Sequence, residues 1–137
     1  MKPETRLWRF YRQHREQWHG RYFDAVEAAK LETYASIPRS QLQAALGKSM
    51  DLLLDSIHER AFDSYVGGMR EHIRARVEQG VSRDDLHSVL ELGWGVYDVM
   101  LDEAVPDDEG VRRELQACGQ RMKVATGVAF TQVLLTT

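Results

Sequence analysis

The sequence holds one cysteine, Cys118, so it can form neither an internal disulfide nor a cysteine-based zinc site. Stapled secreted scaffolds and zinc fingers are thereby excluded. Its three prolines, Pro3, Pro38 and Pro106, are few enough for long helices to run between them. No apolar run reaches the eighteen or so residues of a membrane span, and the opening stretch MKPETRLWRFYRQHREQW is charged throughout, unlike a signal peptide. A cytoplasmic protein with no membrane contact is the resulting expectation. Neither sign of charge dominates: 18 Lys and Arg face 21 Asp and Glu, a net charge of -3, which argues against a nucleic-acid partner. The G-x-S-x-G, P-loop, G-x-G-x-x-G and H-E-x-x-H strings are missing, and with them the commonest hydrolase, NTPase and dinucleotide signatures. The chain therefore reads as a non-enzyme, with no catalytic residue, no cofactor and no metal assigned.

What the sequence does have is helical periodicity from end to end. Leu7, Phe10, Tyr11, His14, Trp18, Tyr22, Ala25, Val26 and Ala29 recur at three- and four-residue steps, with a bend expected at His19 and Gly20. Ser40 is placed to cap a second helix carrying Leu42, Leu46, Met50, Leu53, Leu54, Ile57, Ala61 and Tyr65. Gly67 and Gly68 read as a break before a third helix of Met69, Ile73 and Val77, which Gly80 closes. Ser82 and Asp85 have the S-x-x-D spacing of a helix start, opening a fourth helix from Leu86 to Ala104. Pro106, Asp107 and Asp108 begin the last helix, which is amphipathic to Met122 and then nearly apolar all round in VATGVAFTQVLL. The expected fold is all-α, a five- or six-helix bundle without β-sheet, forming a single domain over residues 1–137. Such an apolar terminal helix needs covering on more than one side, so Val124, Val128, Phe130, Leu134 and Leu135 are candidates for a dimer interface.

Three acid and histidine pairs, Glu16 with His19, Asp55 with His58 and Asp84 with His87, each share a helix face. Di-iron bundles use Glu-x-x-His pairs of this spacing with two further inward glutamates, which are missing here, so a small metalloenzyme is the lesser reading. His14 and His58 border apolar stripes and read as core histidines, whereas His72 and His87 lie among charges and read as solvated. Cys118 falls on an apolar stripe as a buried thiol. Arg6, Arg9, Arg12 and Arg15 spread around the first helix as a solvated face, Arg12 one turn from Glu16. Trp94, set between Gly93 and Gly95, is the most unusual local feature, read as a site of close helix packing. If a small ligand is sensed, Trp94, Tyr97 and His14 are the pocket candidates, because they pair apolar bulk with a polar handle.

The segment YVGGMREHIRARVEQGVSRDDLHSVLELGWGVYDVML, Tyr65 to Leu101, resembles the N-terminal sensory domain of the RsbR and RsbRD type through Arg76, Gly80, Val81, Ser82, Asp85 and Leu86. The resemblance implies a globin-like helical fold that binds no haem. It also implies a sensory and dimerisation role, without enzymatic activity, in bacterial stress-response or kinase signalling, ahead of a linked output domain. On that reading the chain is the N-terminal module of a longer signalling protein and pairs as a homodimer. The alternative within the same fold is a haem-binding globin-coupled sensor with His72 as the ligand, although His72 lies farther from Gly80 than that match requires.

Overall fold

The computed structural model describes residues 1–136 and places six helices: α1 (Pro3–Gln13), α2 (Arg15–Ala29), α3 (Arg39–Glu59), α4 (Phe62–Glu78), α5 (Arg83–Ala104) and α6 (Glu109–Thr136). A single 3-10 turn, Glu32–Tyr34, joins α2 to α3, and no strand occurs among the described residues. The all-α bundle follows from the periodicity. Leu42, Leu46, Met50, Leu53, Leu54 and Ile57 line the buried side of α3, while Leu86, Val89, Val96, Tyr97, Met100 and Leu101 line that of α5. Each such side chain contributes about 1.5–3 kcal/mol by leaving water. Antiparallel to it, α1 lies along α3; α2 contacts both α3 and α5, and α6 packs chiefly along α4.

The boundaries differ from expectation at three places. The first helix breaks at His14 (φ −115°, ψ 24°), not at Gly20, which sits within α2 with open space where a side chain would be. Breaking there aims α1 at α3 and α2 at α5. Helix α3 starts after Pro38, whose fixed φ suits a helix entry, so Ser40 lies inside the first turn and caps nothing. Helix α4 starts at Phe62, because Arg60 turns left-handed (φ 56°), and it runs through both Gly67 and Gly68. Gly68 serves close approach: a β-carbon there would lie 2.7 Å from Leu52 Cδ2 on α3.

Downstream, the local signals hold. Gly80 (φ 87°) ends α4 in a Schellman motif, with Val81 N–H donating to Arg76 O at 3.1 Å and Gly80 N–H to Val77 O at 3.0 Å. Gly80→Ala is expected to lower stability by about 1 kcal/mol, seen as an earlier urea midpoint with unchanged slope. Ser82 Oγ accepts from Asp85 N–H at 3.2 Å, as the spacing predicts. The reciprocal half of that cap comes from elsewhere. Thr33 Oγ1 accepts from Ser82 N–H at 2.9 Å, and the Asp85 carboxylate accepts from Thr33 N–H at 2.8 Å and from its hydroxyl at 2.5 Å. The 3-10 turn is therefore fastened to the start of α5. At α6, Asp108 Oδ1 accepts from Val111 N–H at 3.0 Å.

Candidate functional site

Trp94 and Tyr97, three residues apart on α5, meet edge to face with ring centres 6.0 Å apart. Tyr97 is buried; its hydroxyl donates to Leu115 O at 2.8 Å and its ring lies on Gly119, where a β-carbon would be 2.8 Å from Cε1. Trp94 and Tyr97 together line a polar surface groove of about 480 Å³ with Asp98, Asp102 and Lys123, and Trp94 also borders a partly open crevice of about 30 Å³ that it shares with Tyr22, Met50, Tyr65, Met69 and Thr126. The smaller volume holds one water, an order of magnitude below an ordinary ligand pocket of about 300–1,000 Å³. The polar atoms around it are already engaged: Tyr65 bonds Thr126 at 2.7 Å, Thr126 donates to Met122 O at 2.8 Å, and Tyr22 donates to Val89 O at 3.1 Å. Close packing also accounts for Gly93, whose missing side chain leaves room for the Tyr22 ring at 3.1 Å.

His14 stands apart from this pair. It occupies the break between α1 and α2, half-buried, its ring tilted on Phe10 at 4.4 Å. Of the three ligand candidates, two come together and one does not. His58 stacks on Trp8 at 4.6 Å, and Asp55, its expected partner, instead accepts from Trp8 Nε1 at 2.8 Å. Among the described residues no three His, Cys, Asp or Glu side chains gather for a metal. His72 is not solvated as expected: it is half-buried on α4, facing a groove against α3, and takes no part in lining the crevice beside Trp94. Cys118 is buried, as its stripe position predicts.

The strongest polar constellation escaped the motif reading. Asp51 on α3 accepts a bidentate pair from Arg15 (2.8 and 2.6 Å) and a 2.5 Å bond from the fully buried Tyr11 hydroxyl. With its proton on Asp51, the Tyr11 oxygen accepts from His19 Nε2–H at 2.6 Å, which assigns the histidine tautomer. Burial would raise the Asp51 carboxyl, but the Arg15 and Tyr11 bonds outweigh it and hold the group below the ordinary carboxylate range. Burial, together with the Arg15 charge, holds the His19 imidazole below its usual value. One turn on, Arg12 pairs with Asp55 at 3.2 Å in place of Glu16, and Arg60 reaches the buried Glu4 at 2.8 Å. Two of the four arginines expected as a solvated face thus form an ion-pair seam with α3. The signal was present as matched four-residue series: Tyr11, Arg15 and His19 on one side, Asp51 and Asp55 on the other. The seam ties α1 and the start of α2 to α3 with its carboxylates already paired to arginines, so it reads as structural.

Helix α6 carries an extended surface without charge among the described residues. Thr126, Ala129 and Val133 are buried against the bundle, Phe130 is half-buried near His87 (ring centres 6.4 Å), and Leu134 is half-buried too. The candidate interface therefore divides. Val124, Val128 and Leu135 are 69%, 45% and 81% exposed, while Phe130 and Leu134 belong to the flank of the core. At 100° per residue, Val124, Val128, Thr131 and Leu135 fall within about 60° of one another, a stripe running along the helix. No Asp, Glu, Lys or Arg occurs between Val124 and Leu135. No helix of the described residues is long and apolar enough to cross a membrane. No family model, no curated protein and no solved structure matches the chain.

Proposed function

We propose that the chain is a non-catalytic helical input domain of the RsbR type in bacterial signal transduction, and that two copies pair through the outer face of α6. The carrying observation is the uncharged stripe of Val124, Val128, Thr131 and Leu135, exposed on a helix whose opposite face is already satisfied by its own core. A two-fold contact sets the same patch on itself, which a stripe without charge permits free of like-charge repulsion. Across such a pair a small shift of α6 is transmitted to whatever output domain the helix joins.

Val124→Lys combined with Val128→Lys tests this, since both side chains are exposed and their replacement leaves the core intact. Sedimentation should show wild type as a dimer and the double variant as a monomer, with the dissociation constant raised at least about 100-fold by the buried like charges. A monomeric wild type, or a double variant as dimeric as wild type, would overturn the reading. Truncation after Met122 is a poorer test, because it removes the buried Thr126, Ala129 and Val133 from the bundle.

A further inference from the structure

Positive charge outnumbers negative charge in the groove between α3 and α4. Lys48 and Leu52 line it from α3, and Gly68, His72, Ala75 and Arg76 line it from α4. Its volume, about 380 Å³, lies in the small-molecule range. Leu52, seated against Gly68, gives it an apolar floor.

Elsewhere in the fold, Arg12, Arg15, Arg21, Arg60 and Arg112 each reach a carboxylate. Arg76 does not. Its Nε is buried with no hydrogen-bond partner, and among the described residues neither it nor Lys48 forms an ion pair. That Nε is closed to solvent and Arg76 interacts with the buried Tyr34 hydroxyl, so an arriving anion meets the charge of Arg76, a residue lining the groove, and not this buried donor. Among the described residues Glu71, exposed at the rim, is the one acid lining the groove; it balances one of the two fixed positive charges and leaves one over. His72 lies among them. Burial first, then the charges of Arg76 and Lys48, push its imidazole down to about 4, so it is neutral near pH 7.

We propose that this groove binds a small organic monoanion, a carboxylate with a short apolar body, its oxygens on Lys48 and the Arg76 guanidinium and its hydrocarbon against Leu52 and Ala75. The site does not depend on pairing through α6. An anion seated there places negative charge beside His72, whose charged surroundings are Lys48 on α3 and Glu71 and Arg76 on α4, and its pKa must rise.

The test is hexanoate added to the full chain, with the His72 ring followed by NMR across pH. Hexanoate should bind saturably, raise the His72 midpoint from about 4 toward 6.5 and outcompete the neutral hexanol. Arg76→Gln should weaken binding by about tenfold or more, the worth of one charge-assisted hydrogen bond. Should that variant fail to fold, the exposed Lys48→Gln serves in its place, with a loss of several-fold expected. Three results would each overturn the site: hexanol binding as tightly as hexanoate, undiminished binding in both variants, or no saturable His72 shift at hexanoate concentrations up to about 10 mM.

Discussion

Asp51→Ala is expected to cost about 3 kcal/mol of folding stability, the largest loss of any single polar substitution on the α1–α3 seam. The change strands the hydroxyl of Tyr11, which has no exposure, and leaves the Arg15 guanidinium against α1 without its bidentate acceptor. A charge-assisted bond to a buried donor is worth about 1.5–3 kcal/mol, whereas Arg15 is 43% exposed and adds only a fraction of a full ion pair. Asp55→Ala should cost clearly less, since Asp55 and its partner Arg12 are 38% and 45% exposed. Urea denaturation of the two variants side by side decides the matter: equal midpoints would show that the Tyr11 and Arg15 bonds to Asp51 carry no special weight.

The second large effect is acid lability. His72 has a folded value of about 4 against an ordinary 6.5, so the unfolded chain takes up its proton first as the pH falls. The stability tied to neutral His72 is present in full above pH 6.5 and is lost progressively as the pH falls toward about 4. His19, lowered in the same sense, adds to the loss as the pH falls below 6.5. Asp51 works in the same direction lower down, where its depressed carboxyl is finally protonated. Unfolding free energies at pH 7 and pH 4.5, taken in buffers free of carboxylates, should differ strongly in wild type and much less in His72→Gln. A variant keeping the full wild-type slope would remove His72 as its source.

Element type was legible because the apolar positions of α3 and α5 repeat at helical steps, and the caps at Gly80 and Ser82 were legible because their chemistry is local. The glycines show where such reading stops. A glycine inside a helical stripe serves equally as a break or as a point of close approach, and only the position of Leu52 on the neighbouring helix decides for Gly68. Arg60 ends α3 with an ordinary side chain in a left-handed conformation, which no residue type announces. The candidate surfaces follow the same division. That Val124 to Leu135 lacks charge could be read directly, but not that Phe130 turns toward the core while Leu135 stays outside, because a helix apolar all round has no pattern to orient it. His72 was misplaced for the converse reason: its neighbours in the chain are charged, while its surroundings in space are set by Leu52 and Lys48 of another helix.

The fastening of Thr33 to Ser82 and Asp85 bears on how the molecule moves. A connector between helices ordinarily opens on its own, at little cost in free energy. This one carries Tyr34 and Ile37 into the core, and its threonine completes the cap of a helix about fifty residues downstream. Releasing the turn exposes those two side chains and frays the first turn of α5 in the same event. The link between α2 and α3 therefore opens together with the centre of the bundle, and the motion it would lend to the N-terminal helices is tied to the packing of α5.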